Sequence, residues 1–328
     1  MTIRRTLTAF MGSALLLAAA ALVGSAQAEA LRLGHSHWVG YGPFFVAKEK
    51  GYFAEEGVDV ELVTLDNPKV RFAALTAGKI DALATTIDTM PLYLKSNFTM
   101  QYLFCLDDST GGDGIVANKD ITSVKDLEGK KVAFNEGTTS DFYLNYVLRQ
   151  NGLAVGDLNG VNMTQSDAGS AFMTKRVDAA VTWEPWLTRA KQSEHGHVLV
   201  DSSSTPGIIT DCVMASTETA SQRLDEFKAM YRAWNRAIEF VRANPKEANV
   251  IMAKGVGGWL KDPEVFAETL EGVTFYGKAR NEEFYGSPDS PGKIYDTLGA
   301  ALDIWSDLDR LQVSPSKTEL INHKIVAQ

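Results

Sequence analysis

In this chain of 328 residues, acidic, aromatic and hydroxyl-bearing side chains fall just after short apolar runs, where a strand would end and a helix begin. The stretch VDAAVTWEPWLTRA, residues 177–190, sets Trp183 and Trp186 around Glu184 and Pro185. An indole face packs on a methylene chain or a cation. A carboxylate accepts from an amine or a guanidinium, and proline suits the first turn of a helix. Three other loops carry comparable sets. GHSHWVGYGP, residues 34–43, offers His35, His37, Trp38 and Tyr41. TTIDTMP, residues 85–91, offers Thr86 and an Asp88 placed to cap a helix. NEGTTSDF, residues 135–142, supplies Glu136, Thr138, Thr139 and Ser140.

The chemistry open to these groups is binding. Helix N-termini present unsatisfied N–H donors and partial positive charge, and Thr and Ser hydroxyls complete a seat for a sulfonate, carboxylate or nitrate. Asp88, Glu136 and Glu184 bring the opposite charge, which suits an amine, ammonium or guanidinium. Both signs together favour a zwitterion or a small nitrogenous cation over a simple anion. Plainer roles compete: Asp88 as a bare N-cap, Glu136 as a solvated loop charge, Trp186 as packing. His35 and His37 alternate as strand residues do and lack a third ligand at suitable spacing, so no metal and no cofactor is expected. No G-x-S-x-G elbow, H-E-x-x-H or Walker loop occurs, and catalysis is not expected.

The elements that must position these loops recur. AALTAGKIDALATT, residues 73–86, has a counterpart 97 positions on, Asp178 against Asp81, in SAFMTKRVDAAVTW, residues 170–183. Upstream of each stands a strand, a Gly-containing loop and a helix, so the chain holds two β-α-β halves, each predicting a mainly parallel sheet covered by helices. Strands are predicted near 31–35, 58–63, 81–86 and 101–106 in one lobe, and near 113–117, 131–134, 161–164, 178–182 and 197–200 in the other. LDDSTGGDG (106–114) and SSSTPGIITD (202–211) are predicted to be paired crossovers between lobes. That pairing would bring the strands of Cys105 and Cys212 side by side, leaving the two cysteines either joined or free. In RLDEFKAMYRAWNRAIEFVRANP, residues 223–245, Phe227, Met230, Tyr231, Trp234, Ile238 and Val241 form a helical core stripe.

Arg4, Arg5, the apolar stretch after them and Ala26-Gln27-Ala28 predict a secretory signal peptide over residues 1–28, with no cysteine placed for lipid attachment. Of 32 basic residues two lie in that leader, and the remaining 30 face 41 acidic ones, a net charge of about −11. Nucleic acid and anionic membrane are therefore poor partners.

GPFFVAKEKGYFAEEGVDVELV, AALTAGKIDALATT, VKDLEGKKVAFNEGTTSDFYL and VDAAVTWEPWL together resemble the solute-binding proteins of nitrate, sulfonate, taurine and bicarbonate ABC importers, a group that includes thiamine-pyrimidine precursor binders. The resemblance spans essentially the whole mature chain. It implies an α/β, two-lobed periplasmic binding protein of type II, each lobe a mainly parallel sheet flanked by helices, joined by two crossover segments. Lobe 1 would begin at 29–110, lobe 2 would span 111–205, and 206–328 would return to lobe 1 and add C-terminal helices. It further implies a monomer that closes by a hinge over a small-molecule ligand in the periplasm and docks on an inner-membrane ABC permease. A sensing module that presents its closed form to a receptor is the other reading. By motif, the ligand-contacting positions would be Trp38, Tyr41, Thr86, Asp88, Glu136, Thr138, Thr139, Ser140, Trp183 and Glu184, with Gly40 beside the first two; of the acids near the hinge, Asp107, Asp108, Asp113 and Asp211, the last two would contact ligand as well. Sulfonate and taurine binders of this group carry small polar residues where this chain has Ile87-Asp88. Importers of urea- or guanidine-like compounds keep an aspartate there. The pyrimidine synthases that share the fold carry a cysteine-rich stretch that this chain lacks.

Overall fold

Among the described residues two main sheets hold eleven strands, and a hairpin of two-residue strands, Gly286–Ser287 with Ser290–Pro291, stands apart. The computed structural model describes residues 29–328, and the predicted signal peptide lies outside the described residues. The strands are β1 (Leu31–His35), β2 (Val60–Thr64), β3 (Ala82–Thr86), β4 (Met100–Ser109), β5 (Asp113–Asn118), β6 (Lys131–Phe134), β7 (Asn159–Asn162), β8 (Ala179–Trp183), β9 (Gly196–Asp201), β10 (Thr210–Ser216) and β11 (Val273–Phe275). One sheet has the order β11-β4-β10-β3-β1-β2 and the other β7-β6-β8-β5-β9. The short β11 was not predicted; its three residues lie between helices and carry no alternation long enough to register.

The internal repeat is a structural unit. Helices Pro68–Thr76 and Gln165–Met173 lie 97 positions apart, each started by a side-chain cap, Asn67 on the N–H of Lys69 and Thr164 on the N–H of Asp167. Each leads into a strand at the same offset, β3 or β8. The shared aspartates do the same work in both halves. Asp81 accepts the N–H of Arg32 at 2.8 Å, and Asp178 accepts that of Lys131 at 2.9 Å, so each pins the end of its β-α-β half to that half's opening strand, β1 or β6.

The expected mainly parallel sheets are mixed. β1 runs parallel to β2 and β3, and β6 to β7 and β8. β10 is antiparallel to β3 and β4, and β5 to β8 and β9. The cause is chain direction: β3 and β8 end at the cleft between the lobes, so a crossover strand entering a lobe from that cleft must run against them. The two crossovers are tied together where they meet. Ser202 Oγ lies 2.9 Å from Ser109 Oγ and accepts the N–H of Gly111 at 2.8 Å.

Three apolar clusters fill the lobes. One lies in lobe one, and two cover the opposite faces of the second sheet. All six residues of the stripe in helix Leu224–Ala243 are buried in the first. Helix Ile294–Asp307 belongs to both lobes: Ile294, Tyr295 and Leu298 enter the first core, while Ala301, Ile304 and Trp305 enter the second. Among the described residues no helix is long and apolar enough to cross a membrane.

Cys105 and Cys212 stand directly opposite each other in the β4–β10 pair and form a disulfide across 107 residues of sequence, which resolves the open alternative. Closing a loop of that size restricts the unfolded chain, and loss of a native disulfide typically costs about 2–4 kcal/mol. The C105A/C212A double variant should lose stability in that range, read from urea unfolding midpoints; coincident midpoints would contradict it.

Candidate ligand-binding site

The carboxyl ends of the parallel strands open on a cavity of about 360 Å³ between the lobes. Lobe one contributes Trp38 and Tyr41 after β1, Asp66 to Lys69 with Arg71 after β2, and Thr85, Thr86 and Thr89 at the end of β3. Lobe two supplies Asn135, Thr138 and Thr139 after β6, Thr164 to Ser166 after β7, and Trp183 at the end of β8. The crossovers add Asp113, Ile209 and Asp211. Open α/β sheets bind ligands at this end of their strands.

Backbone pairing sets which groups are neighbours. Asp113 opens β5 opposite Trp183 of β8, and Asp211 lies in β10 opposite both Thr86 and Asp107. Trp38 is oriented by its indole N–H, which donates to Asp107 Oδ1 at 3.0 Å. Glycine is required beside that bond: a Cβ on Gly40 would stand 2.0 Å from Asp107 Oδ2. The Trp38 ring edge lies 3.1 Å from where a Cβ on Gly112 would be. Tyr41 donates its hydroxyl proton to Asp211 Oδ1. Across the cleft, Thr86 Oγ1 and Thr139 Oγ1 are 2.7 Å apart, a direct hydrogen bond between lobes. Trp183, on the second sheet, packs against the core of the first lobe. The lobes are thus in contact around the cavity.

The buried acids set the electrostatics. Burial is the largest cause of every upward shift among them, since the charged carboxylate is disfavoured away from water. It raises Asp113 to about 7, helped by Asp211, Asp88 and Glu184. It raises Asp211 to about 6, against the Tyr41 hydrogen bond and the Arg71 charge. Asp88 rises to about 7, and Asp107 is raised well above the ordinary carboxylate range. Asp108 rises to about 6 while accepting the N–H of Gly207 and facing Arg280 at 3.3 Å, a tie between outward and return crossovers. Burial lowers His35 to about 4, so it is a neutral core ring against Tyr41 and Phe45.

Eight of the twelve predicted ligand residues line the cavity: Trp38, Tyr41, Thr86, Asp113, Thr138, Thr139, Trp183 and Asp211. Four do not, each for a local reason. Asp88 is fully buried behind the loop, where Thr89 donates to its carboxylate and Trp305 to its carbonyl at 2.7 Å. It is no side-chain N-cap either, because the following turn, Met90–Tyr93, has none. Glu136 is exposed, with its backbone N–H on Asn162. Ser140 Oγ accepts the N–H of Asn135 at 2.9 Å. Glu184 turns back to take both the N–H and the hydroxyl of Thr188, at 3.0 and 2.9 Å. Trp186 packs on Gly169 and under Arg189. Sequence reasoning missed Arg71 and the loops 66–69 and 164–166, although Asn67-Pro68 and Thr164 are ordinary helix-start signals. His37 also lines the cavity, where Asp66 fixes its Nδ1 at 2.8 Å.

A family model described as NMT1/THI5 like matches residues 38–248. A putative binding protein of Brucella abortus (strain 2308) is 28% identical over 272 residues, covering 81% of this chain and 82% of that one. The taurine-binding periplasmic protein of Escherichia coli (strain K12) is 26% identical over 255 residues, 76% and 75% of the two chains. Among solved structures, the periplasmic aliphatic sulphonate binding protein SsuA from Escherichia coli shares the fold, with a TM-score of 0.74 at 21% identity over 92% of this chain and 99% of that one.

The acids have a consequence for stability. A carboxyl that titrates near 7 in the fold and near 3.8 in the open chain keeps its proton longer in the fold, so raising pH through 7 costs folding free energy. His35 works in the opposite sense only below its ordinary 6.5. Between about pH 6.5 and about pH 8 the melting temperature of the unliganded protein should therefore fall by a few degrees, and Asp113→Asn should flatten that fall. A melting temperature constant or rising across this window would contradict the assignment.

Proposed function

The chain belongs to the NMT1/THI5 like family, and from that premise we propose that it is the extracytoplasmic substrate-binding component of an ABC importer. It captures a small polar organic compound in the cleft between its lobes and carries no catalysis. The observation that supports this most directly is the cavity itself, enclosed by equivalent strand-to-helix loops of two repeated halves. Such a site gains its affinity from groups that converge only when the lobes are shut. The contacts of Thr86 with Thr139, and of Trp183 with the first lobe's core, are of that kind.

The lining favours a zwitterion of the taurine type or another small nitrogenous compound over a plain anion. Arg71, Asp113 and Asp211 put both signs of charge in the wall, and the rings of Trp38 and Trp183 supply apolar faces. The family reading adds an inner-membrane permease as partner and the periplasm as the place of work. Names of relatives such as the taurine-binding periplasmic protein support the same role.

The test is a thermal-shift screen of residues 29–328 against taurine, short alkanesulfonates, nitrate, guanidine, urea, creatinine and small amino acids. A compound bound only by the folded form raises the melting temperature as RT ln(1 + [L]/Kd). At least one should do so and also shrink the radius of gyration in solution scattering. Silence from the whole panel would sink the reading. Trp183→Ala should weaken the hit by roughly tenfold or more, the scale of a desolvated ring contact, while circular dichroism shows the fold intact. An unchanged titration would remove Trp183 from the site.

A further inference from the structure

We propose that Asp113 and Asp211 are the seat of a cationic nitrogen, so that the cleft takes small organic cations whose other end accepts a hydrogen bond and refuses a sulfonate lacking an amine. This rests on the binding-protein reading above and narrows it. The two acids come from different crossovers: Asp113 is the first residue of the strand entering lobe two, and Asp211 the second residue of the strand returning to lobe one. Both line the cavity, 6% and 4% exposed. A cation held between them would be held by both hinge strands at once.

Buried positive charge is scarce around the pair: the other cation on the cavity wall, Lys69, is exposed to water, as is Asp66 nearby. Behind the pair, Asp88 and Asp107 are fully buried, and Asp88 Oδ1 and Asp107 Oδ2 have no hydrogen-bond partner. Four carboxyl groups thus stand against one buried cation, Arg71. Most of that guanidinium is already engaged. Its Nη1 donates to the carbonyl of Leu65 at 2.8 Å and reaches that of Asp66 at 3.4 Å, and its Nη2 reaches Thr85 Oγ1 at 3.4 Å. Only Nε is without a partner, on a side chain 4% exposed that lines the cavity. One free donor suits a hydroxyl, carbonyl or single anionic oxygen at the far end of the ligand. Desolvating a lone anion among four carboxyls is unfavourable in either protonation state, because protonated acids contribute no compensating charge. A cation instead offsets the buried acids and stacks against the indole rings.

Three two-carbon compounds separate the ends: ethanolamine carries a cation and a hydroxyl, taurine a cation and a sulfonate, isethionate a hydroxyl and a sulfonate. Titration calorimetry on residues 29–328 should find binding of ethanolamine and taurine, with isethionate weaker than taurine by about tenfold or more. Asp113→Asn and Asp211→Asn should each weaken ethanolamine binding by about tenfold or more, while Glu136→Gln, an exposed acid off the cavity, leaves it unchanged. Asp211→Asn disturbs the Tyr41 bond; if circular dichroism shows it unfolded, Asp113→Asn decides alone. Isethionate binding as tightly as taurine would overturn the cation seat and leave the binding-protein reading intact. No heat from ethanolamine at millimolar concentration, or unaltered binding in Asp113→Asn, would overturn it as well.

Discussion

The parallel strands of both sheets end at one shared cleft, and most other features follow from that polarity. Because β3 and β8 terminate there, the strands that connect the lobes must enter against them, which makes each sheet mixed. The same geometry gathers the starts of the strand-following helices around one space. It also places the acids of the crossovers, Asp107, Asp108, Asp113 and Asp211, between two layers of packed chain where water is scarce. Their raised titration is a result of where the connections run rather than of any one neighbour, since burial leads every shift.

The halves are matched in function as well as in trace. Thr86 and Trp183 are equivalent positions of the repeat, each closing the strand of its half, and both face the ligand space. Asn67-Pro68 and Thr164-Gln165 are equivalent too, and both pairs line it. What differs is the chemistry on each side. Lobe one presents the buried Arg71 with Trp38 and Tyr41, and lobe two presents hydroxyls, the amides of Asn135 and Gln165, and the ring of Trp183. A duplicated scaffold has been given two unlike jaws.

Much of this was legible because it rests on periodicity and punctuation. The 97-residue echo located β3, β8 and their helices, and apolar runs located the other long strands within a few residues, except β10, which was inferred only as the strand that carries Cys212. Side-chain direction was another matter. Asp88 and Glu184 satisfy the same local rules whether they face a ligand or the protein, and only the packing of Trp305 and the placement of Thr188 decide between those outcomes. Arg71 was missed for the converse reason: a lone arginine in a helix gives no sign of burial until the carbonyls of Leu65 and Asp66 are seen to receive it. The direction of β10 likewise depends on where the chain re-enters, which no short window of sequence contains.

The helix Ile294–Asp307 sets the order of assembly. Its second half fills the core of a lobe whose strands all lie between residues 113 and 201, and Trp305 is fully enclosed there. That lobe therefore lacks part of its interior until the last quarter of the chain has been made. Completing that core depends on contacts of large sequence separation, the topology that slows folding. The two lobes, distinct as ligand jaws, share one helix between their cores, and a fragment ending near residue 205 would carry an open apolar face where Trp305 belongs.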